Sequence, residues 1–542
     1  MQVTKLQPSE LAVISSNSGL KLYLDGLVAG KAATPRTSLY NIEGKTAMLE
    51  PDQILTRWST QLETLLGGSD FEQNVYHFDS HQLEKWGPQG EVAPIADLLK
   101  DIVYPSFEKG LDTPAFSTGA WKEAKSRTVY ILRSAGCRGL RPVPLQHVVD
   151  DMRARDTLIS NSGWPLFTRR SKPEVIEQSI EEAEGQRWKT YPAIALFRNY
   201  NRKTRLVWMF PMSANLVEGS FFQVLQSTLM RSSLASTFLS PWKGFESVRK
   251  VVSNTYKRHW VVAASDFSST DAHFKLNTTA EVYDVLAPCF QPQYRGVLWD
   301  SMNYMHTIPL LIGPDQQIIG EHGVSSGSNW TNFVETIFDL ILSEYVSILE
   351  GDSFARGSAA STVYQGLYAI GDDMTWCAGR NRYDPEFSKR LESYGASVGM
   401  EIKAEKTTND PDKVKSLQRL FQDGYFRDDG LLRAVYPTIR ALKSLVYPER
   451  SHPKKLWSKD MNAVRAFMIL ENCVDHPMFA EFCRFVGDGD PYLREFAQKS
   501  SMEQNAAYRR SKLLPGLNTT YNQERRDMSL SSFSSIKMLA KS

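Results

Sequence analysis

The sequence lacks the signals that mark several common protein classes. No apolar run approaches the length of a membrane span, and no segment fits the phosphate-binding P-loop pattern. The first residues, MQVTKLQPSE, show no signal-peptide pattern. These absences argue against a membrane-embedded protein and against an ATPase of the Walker type, and they predict no membrane partner.

Cysteine and net charge are also scarce. The 542 residues include five cysteines with no Cys-x-x-Cys spacing among them, which argues against a zinc site and against a disulfide framework. Such a set suits a reducing compartment. The formal net charge is only +2, so any surface for nucleic acid must be a local patch rather than a global basic field.

What the chain does have is length and an ordinary globular composition. Hydrophobic residues make up 42% and charged residues 23% of the sequence, as in a soluble globular protein. A chain of 542 residues is too long for one core, so we expect several subdomains.

The stretch at residues 363–378, VYQGLYAIGDDMTWCA, is the first candidate site. Two apolar runs separated by Gly371, Asp372 and Asp373 are typical of a β-hairpin with two carboxylates at its turn. Gly and Asp are also ordinary turn residues, and similar acidic turns occur at residues 428–430 and 487–490. The pattern therefore indicates chemistry only when other motifs accompany it.

Two further carboxylates precede the hairpin in the chain. Residues 260–264 predict a short apolar strand that ends at Asp266, and Asp271 follows five residues later near the start of a predicted helix. Asp271 alone could be a first-turn acid, which helix termini favour. Asp266 is harder to explain structurally, because a carboxylate at the end of a buried strand needs a partner.

A small-residue loop at residues 323–327, GVSSG, opens onto a long helical pattern with an apolar face. Ser326 and Gly327 lie in this loop, and Thr331 and Asn332 lie in or near the first turns of the helix. Helix capping is a strong alternative explanation for Ser326.

Positive charge is concentrated in the segment that starts at position 197, FRNYNRKTRLVWMFP. Half of residues 198–205 are cationic and none is acidic, with Arg198, Lys203 and Arg205 as the candidates. Cations that alternate along a strand can point into one cleft, where they would neutralise a triphosphate. A solvated run of charge is the alternative.

A turn of four residues precedes that segment and is followed by three cations. The turn consists of Ser162, Gly163, Trp164 and Pro165. A tight loop beside positive charge can contact an RNA phosphate backbone. A solvated surface loop explains these residues equally well.

Cations also follow the hairpin. Residues 387–407 suggest a helix, a glycine turn and a strand that carries Lys403 and Lys406. The residues after 500 are Ser-rich and hold seven Lys and Arg against three acids, a net of +4. We expect this tail to be flexible or to wrap the surface.

In chain order these pieces predict nucleotidyl transfer. Asp266 and Asp372 would share two Mg²⁺ ions, with Mn²⁺ as an alternative, because metal-assisted displacement at phosphorus needs shared carboxylates. Asp373 would support them, since successive residues on a tight turn cannot both point at the same ions. Lys203 and Arg205 would neutralise the phosphates, and a downstream lysine would protonate the leaving pyrophosphate.

The choice of a ribonucleotide needs polar partners for its 2′-hydroxyl group. The sequence offers four candidates in two segments, which are Asp271, Ser326, Thr331 and Asn332.

This ordered set resembles that of the viral RNA-dependent RNA polymerases. The segments SSGSNWTNF and AIGDDMTW are most similar to those of the picobirnavirus polymerases. The partitivirus polymerases of double-stranded RNA viruses are the next most similar group. The resemblance covers residues 162–421. By resemblance, Asp266 and Asp271 match motif A, residues 326, 327 and 331 match motif B, and residues 371–373 match motif C.

The other motifs follow by the same resemblance. The pair at 405–406 is similar to the end of motif D, which makes Lys406 the first choice of general acid ahead of Lys403. Residues 417–421 are similar to motif E, residues 203–205 to motif F and residues 162–165 to motif G. One position departs from the family: many members carry Asn where this chain has Glu335. Asn332 or Thr331 would then take its role in sugar recognition, or Asp271 would act more alone.

The resemblance implies an α+β fold, a closed right-hand polymerase with fingers, palm and thumb and an antiparallel palm sheet backed by helices. The expected divisions begin with an N-terminal extension that bridges fingers and thumb (residues 1–105), followed by the fingers (106–212) and the first part of the palm (213–300). After them come a fingers insertion (301–322), the second part of the palm (323–435), the thumb (436–500) and the C-terminal tail (501–542). We expect the basic tail to lie near the template or product channel.

The resemblance also implies the partners and the location. The partners would be an RNA template and product, nucleoside triphosphates and a viral capsid protein. The enzyme would replicate and transcribe a viral, double-stranded RNA genome in the virion interior and the host cytoplasm.

Two other functions fit part of the pattern. A reverse transcriptase shares the two-metal palm, but it should carry an aromatic residue near the place of Asp271 and usually another before the Asp pair, where this chain has Gly371. A catalytically degenerate, polymerase-like RNA-binding protein is disfavoured because Asp266, Asp372 and Asp373 are all present.

Overall fold

The computed structural model describes residues 1–42, 48–351, 362–517 and 529–542. Within these ranges we find no helix that combines the length and the apolar character of a membrane span. In chain order the strands are β1 (Gln2–Lys5), β2 (Ala193–Tyr200), β3 (Lys203–Met209), β4 (Trp260–Asp266), β5 (Leu310–Leu311), β6 (Gln316–Ile319), β7 (Gln365–Ile370), β8 (Asp373–Gly379), β9 (Thr408–Asn409), β10 (Lys413–Ser416) and β11 (Arg419–Gln422). The helices are α1 (Pro8–Ser16), α2 (Ser18–Ala29), α3 (Pro51–Leu62), α4 (Asp70–Ser80), α5 (Ile95–Leu98), α6 (Gly119–Ser134), α7 (Leu145–Ala154), α8 (Pro173–Glu184), α9 (Met212–Met230), α10 (Phe245–Lys257), α11 (Thr270–His273), α12 (Leu276–Leu286), α13 (Arg295–Thr307), α14 (Trp330–Leu349), α15 (Phe387–Ser397), α16 (Thr438–Val446), α17 (Lys459–Glu471), α18 (Phe479–Gly489), α19 (Tyr492–Ala497), α20 (Ser501–Ser511) and α21 (Ser534–Ala540).

An antiparallel sheet with the strand order β7–β8–β4–β9 forms the centre of the molecule. β7 and β8 are joined through a tight turn, which confirms the predicted hairpin, and β4 confirms the predicted apolar strand. Alternate residues of β4 face opposite ways, as the pleat of a strand requires. Val261 and Ala263 join the core that contains α14, whereas Val262 and Ala264 join the core that contains α10. The strand is thus buried on both faces until it ends at Asp266.

A second sheet has the order β1–β6–β5–β2–β3. Its β2–β3 hairpin places Arg198 opposite Arg205. The turn residues Asn201 and Arg202 have φ of 55° and 58°, the left-handed values that a two-residue hairpin loop needs. The predicted basic strand is therefore confirmed as β3.

The N-terminal 105 residues contribute to two separate hydrophobic cores. Leu20 and Leu24 of α2 lie in the first core, together with most of the two sheets. Ile54 and Trp58 of α3 lie in the second core, together with the helices from α16 onward. The N-terminal segment is thus built into both ends of the molecule, which a bridging extension requires.

The described part of the C-terminal tail is packed, so the expectation of a flexible or surface-wrapping tail is wrong there. Tyr508, Phe533 and Leu539 are buried in the second core. The backbone N–H groups of Ser534 and Ser535 each donate to the Glu471 carboxylate at 3.0 Å, which caps α21. Four of the charged residues counted in the tail lie outside the described residues, namely Glu524, Arg525, Arg526 and Asp527.

Candidate active site

The register of the central sheet brings the three predicted metal ligands together. β4 and β8 pair so that Asp266 lies opposite Asp373. The backbone N–H of Phe267 donates to the Asp372 carbonyl at 3.1 Å, which holds the turn against the end of β4. All three carboxylates have exposed surface facing a cleft.

The turn itself is shaped by Gly371 and clamped by α14. Gly371 has φ of 58°, and a Cβ at this position would come within 3.0 Å of the Asn332 amide and 3.3 Å of the Glu335 carboxylate. Its N–H donates to Thr336 Oγ1 at 2.9 Å. Glycine is required here because the backbone is left-handed and the space is already filled.

The pKa values of the three carboxyl groups are raised. Desolvation by the surrounding protein is the largest cause for each of them, although the side chains reach the cleft. The charge of Asp266 adds to the rise at Asp372, and the charges of Asp372 and Asp266 raise the pKa of Asp373 to about 8. Among the described residues, none of the three takes part in an ion pair. This cluster is therefore short of positive charge.

A set of crowded carboxylates that make no ion pair with a neighbouring side chain in the described part of the chain has the donor chemistry that divalent metal ions prefer. In the described part of the chain, no group of three or more His, Cys, Asp or Glu side chains is already arranged around a single point. The carboxylates thus fit ions whose coordination is completed by water and substrate phosphates rather than by a closed protein cage.

Lys406 lies beside these carboxylates in a cavity of about 950 Å³ that Asp266 and Asp373 also line. Its charge lowers the pKa of Asp266 against the larger opposing effect of desolvation. Lys403, the other candidate, is instead 3.9 Å from Glu401. The geometry thus favours Lys406 as a proton donor in the cleft, and the assignment stays a prediction.

Of the three predicted phosphate-binding cations, Lys203 faces the carboxylates. Its charge lowers the pKa of both Asp271 and Asp372, although desolvation raises both pKa values overall. The Lys203 ammonium group therefore lies where a negatively charged substrate would meet the cleft.

The two arginines of the hairpin make other contacts. Arg198 donates from Nε and from a terminal nitrogen to the two carboxylate oxygens of Glu449, both at 2.8 Å, which ties β2 to the loop after α16. The Arg205 guanidinium lies 4.0 Å from the centre of the Tyr200 ring and donates to the Tyr200 carbonyl at 2.9 Å. Their assignment to nucleotide binding stays a prediction, and Arg198 would first have to leave Glu449.

Asp271 and Asn332 approach the hairpin from two sides. Desolvation and the charge of Asp372 raise the pKa of Asp271 to about 7. Asn332 is exposed and lines a cavity of about 280 Å³ together with Asp372 and Asp373. Asn332 therefore reaches the cleft beside the carboxylates, and the assignment of Asp271 and Asn332 to sugar recognition stays a prediction.

Ser326, Gly327 and Thr331 shape the loop rather than point freely into the cleft. Ser326 Oγ donates to the Leu206 carbonyl at 3.0 Å, so it does not cap the helix as the alternative explanation expected. Gly327 has φ of 141°, and a Cβ there would overlap the Trp208 carbonyl at 1.7 Å. Thr331 Oγ1 donates to the Ser325 carbonyl at 2.6 Å.

The predicted RNA-binding turn is mostly internal. Ser162 and Trp164 are buried, and a Cβ at Gly163 would come within 2.5 Å of the Phe210 carbonyl. Ser162 Oγ accepts from the Thr168 N–H at 3.2 Å. The side chains of Ser162 and Trp164 therefore do not contact RNA in this conformation, and Pro165 is the half-exposed member of the turn.

Two buried acids beneath the hairpin escaped the sequence analysis as a pair. Glu335 and Asp339 have pKa values raised well above the usual range, first by burial and then by neighbouring carboxylates. Both Asp339 carboxylate oxygens are buried without a hydrogen-bond partner among the described residues. Two acids four positions apart in the apolar helix pattern were a signal that could have revealed them.

A cationic cluster assembled from distant segments was also missed. Lys443 and Arg440 of α16 are buried, and Lys443 Nζ donates to the Asn201 side chain. Desolvation and the charges of Arg440, Lys85 and Arg205 lower the pKa of Lys443 to about 7. The four cations come from three segments separated by more than 100 residues, so no local sequence pattern indicates the cluster.

Comparisons with known proteins agree with this geometry. A profile of the family described as "Viral RNA-dependent RNA polymerase" matches residues 200–470. Over 506 residues the chain is 27% identical to the "Potential RNA-dependent RNA polymerase" of a human picobirnavirus. The aligned region covers 88% of this chain and 85% of the relative. It is also 23% identical over 153 residues to the "RNA-directed RNA polymerase" of Cryptosporidium parvum virus 1, covering 28% and 29% of the two chains.

The fold has solved relatives as well. The crystal structure of the RNA-dependent RNA polymerase of a human picobirnavirus superposes with a TM-score of 0.77 at 22% identity, covering 99% of this chain and all of the other. A mutant of that polymerase without its insertion loop gives the same TM-score of 0.77. The right-hand polymerase fold with an antiparallel palm sheet is therefore confirmed.

Proposed function

The chain belongs to the viral RNA-dependent RNA polymerase family, and from this premise we propose that it replicates and transcribes a viral, double-stranded RNA genome. Its substrates are an RNA template and nucleoside triphosphates, and its product is RNA. We further propose that it works beside a viral capsid protein in the virion interior and in the host cytoplasm. The domain divisions given above belong to the same proposal.

The observation that carries the proposal is the convergence of Asp266, Asp372 and Asp373 from paired strands at the cleft. Polymerases of this family use divalent metal ions, and we infer that Asp266 and Asp372, supported by Asp373, hold two Mg²⁺ ions, for which Mn²⁺ can substitute. When bound, such ions stabilise the attacking and leaving oxygens of phosphoryl transfer. The carboxylates fit that role because they are crowded together, and desolvation followed by their mutual repulsion raises the pKa values of Asp372 and Asp373.

Two lysines beside the carboxylates serve the triphosphate. Lys203 faces Asp271 and Asp372, so it attracts the phosphate oxygens of the incoming nucleotide to the carboxylates. Lys406, in the cavity beside Asp266, donates a proton to the pyrophosphate oxygen as the bond to the α-phosphate breaks.

Sugar recognition falls mainly to Asp271 and Asn332 in this proposal. Both lie beside the catalytic hairpin, and both keep polar atoms that a 2′-hydroxyl can meet. Ser326 and Thr331 support recognition by fixing the loop, because their hydroxyl groups donate to backbone carbonyls. Glu335 lies beneath the turn and is buried, so it supports the hairpin.

The cationic cluster of Lys85, Arg205, Arg440 and Lys443 is the proposed route by which nucleotides reach the cleft. Lys85 lines the same cavity as Asp266 and Lys406, which connects the cluster with the carboxylates. Triphosphates would be drawn along this face before they meet Lys203.

We also propose that α20 lies along an RNA channel. Arg509 and Arg510 are exposed on it, and Lys512 pairs with Asp156 of the fingers at 3.3 Å. Because the tail carries core residues, a truncation would unfold the thumb, so charge variants test the idea. Arg509→Gln with Arg510→Gln should weaken RNA binding several-fold and reduce its salt dependence; unchanged binding would contradict the placement.

A nucleotide-incorporation assay on an RNA template with Mg²⁺ or Mn²⁺ tests the function. The wild-type chain should extend RNA, and Asp372→Ala should reduce synthesis by more than about a thousandfold. Synthesis that survives Asp372→Ala would sink the assignment. A chain that binds RNA but incorporates nothing would favour the degenerate RNA-binding protein, and a preference for deoxynucleotides would favour a reverse transcriptase.

A further inference from the structure

We propose that Asn215 and Glu218, in the first turns of α9, are positioning residues that hold the nucleotide loop (residues 325–329) in register with the template turn (residues 161–170). In that turn the exposed Arg169, rather than the buried Ser162 and Trp164, would meet an RNA phosphate. The inference rests on the proposed polymerase function. It gives a role to a helix in which the sequence indicated no functional residue. It also predicts that a substitution next to the template turn changes nucleotide affinity, and that one next to the nucleotide loop changes template affinity.

Glu218 caps α14 from outside that helix. Asn329, which precedes α14, makes no cap with its own side chain. Its backbone N–H donates instead to Glu218 Oε1 at 3.0 Å, and Ser328 Oγ donates to Glu218 Oε2. A carboxylate at a helix N-terminus satisfies otherwise unpaired N–H groups and interacts favourably with the helix dipole. Glu218 therefore fixes the point at which the nucleotide loop becomes helix.

The side-chain amide of Asn215 forms hydrogen bonds towards both the nucleotide loop and the template turn. Its Nδ2 donates to Glu218 Oε1 at 2.7 Å and to the Gly327 carbonyl at 3.3 Å. Its Oδ1 accepts from a terminal nitrogen of Arg170 at 2.8 Å. An amide suits this place because it carries two donor N–H groups and a separate acceptor oxygen, and the residue is 2% exposed.

Arg170 completes the connection to the template turn. Its Nε donates to the Asn161 carbonyl at 3.0 Å, and Asn161 Oδ1 accepts from the Gly163 N–H at 2.7 Å. The Met212 N–H of α9 also donates to the Ser162 carbonyl at 2.8 Å. A continuous set of hydrogen bonds, most of them partly buried, thus runs from residue 161 to residue 329.

The nucleotide loop is held on its other side by β3. Ser326 Oγ donates to the Leu206 carbonyl, and the Trp208 N–H donates to the Ser326 carbonyl at 2.9 Å. Ser325 Oγ also donates to the Met305 carbonyl of α13 at 2.7 Å, so the α9 contacts anchor the loop alongside those of β3 and α13. If they position the loop, their loss should change substrate affinity; if they only stabilise the fold, their loss should change the melting temperature alone.

Two reciprocal variants separate these possibilities. Arg170 makes no hydrogen bond with the nucleotide loop, yet Arg170→Gln should raise the KM for the incoming nucleotide about tenfold with little change in kcat. Glu218 makes no hydrogen bond with the template turn, yet Glu218→Ala should weaken RNA template binding by a similar factor. Glu218→Gln, which keeps an acceptor for the Asn329 N–H, should restore most of both affinities.

Ser220→Ala is the matched control, because Ser220 is buried on the same helix and its hydroxyl bonds only locally, to the Val217 carbonyl. It should leave KM and template affinity within about twofold. The inference is overturned if Arg170→Gln changes only template binding and Glu218→Ala only nucleotide KM, or if both variants lower only the melting temperature. Template affinity is measured without turnover, so an inactive wild-type chain would reject the proposed function while the Glu218→Ala binding result still decides the inference.

Discussion

Two turns of this protein have nearly the same composition and opposite electrostatics. At residues 371–373 the carboxylates of Asp372 and Asp373 lie in the cleft with raised pKa values and, among the described residues, with no ion pair. At residues 428–430 the Asp429 carboxylate accepts from both terminal nitrogens of Arg249, at 3.0 and 3.1 Å. Desolvation acts to raise the Asp429 pKa, but the bonds from Arg249 and the Leu431 N–H outweigh it, so that pKa is lowered.

The difference separates a reactive turn from a structural one. Asp429 is already paired with Arg249, whose side chain is 1% exposed, so the charge of this carboxylate is balanced within the protein. At residues 371–373 the carboxylates of Asp372 and Asp373 repel each other, and we propose that a cation from solution offsets this repulsion. An acidic turn is therefore a candidate site when its charge lacks a partner within the protein. The same criterion also distinguishes Lys406 from Lys403.

Of the next three predictions, the largest effect is expected on kcat, when one of the two lysines is replaced. Lys406 lines the cavity with Asp266, whereas Lys403 lies 3.9 Å from Glu401. Lys406→Ala should lower kcat about a hundredfold, because the leaving pyrophosphate loses its proton donor. Lys403→Ala is the control and should remain within a few-fold of wild type. Equal losses in single-turnover incorporation would remove Lys406 from the acid role.

A smaller effect is expected at Asp271, which shares the repulsion of the reactive turn. Asp271→Ala should reduce the preference for ribonucleotides over deoxynucleotides about tenfold, because the 2′-hydroxyl loses a hydrogen-bond partner. The ratio of kcat/KM for the two substrates measures this. Asp284→Ala, which removes a carboxylate that pairs with Lys125 at 2.9 Å, should leave the ratio unchanged. An unaltered ratio in Asp271→Ala would assign sugar recognition to other residues.

The smallest effect is a pH dependence of stability. The folded-state pKa of Asp373 is raised to about 8, so below about pH 4 the carboxyl group is protonated in both folded and unfolded chains. As pH rises towards 8, the unfolded chain releases the proton more readily, and the stability contributed by this group is lost. Without divalent ions, the melting temperature of wild type should fall by about 1–2 °C relative to Asp373→Asn over this range.

Divalent ions should reverse that difference, because they bind the ionised carboxylates of the folded chain. Added Mg²⁺ should raise the melting temperature of wild type more than that of Asp373→Asn at high pH. Parallel pH profiles of the two proteins, with and without Mg²⁺, would mean that Asp373 is not part of the repulsive cluster.

The local elements of the site could be predicted from sequence. The hairpin at residues 365–379 and the strand that ends at Asp266 follow from alternating apolar residues and a glycine turn, which are signals within a few residues of each other. The family resemblance then supplied the right-hand fold. Neither step required knowledge of contacts between distant segments.

The features that could not be predicted depend on contacts between distant segments of the chain. Arg198 pairs with Glu449 across 251 positions, and the cationic cluster around Lys443 combines three segments. The tail appeared flexible because its composition is polar, yet a few apolar residues such as Phe533 suffice to pack its described part into the second core. Ser162 and Trp164 are likewise buried, and Gly163 between them lies against the Phe210 carbonyl, a contact with a distant segment that the local sequence does not indicate.

Direct metal binding tests the contrast between the two turns most closely. We would titrate Mn²⁺ into the full chain and measure bound ion for wild type, Asp372→Asn and Asp429→Asn, with melting curves to confirm that each is folded. The account predicts that Asp372→Asn loses Mn²⁺ binding while Asp429→Asn keeps it. Wild-type Mn²⁺ affinity in Asp372→Asn, or a loss of binding in folded Asp429→Asn, would contradict it.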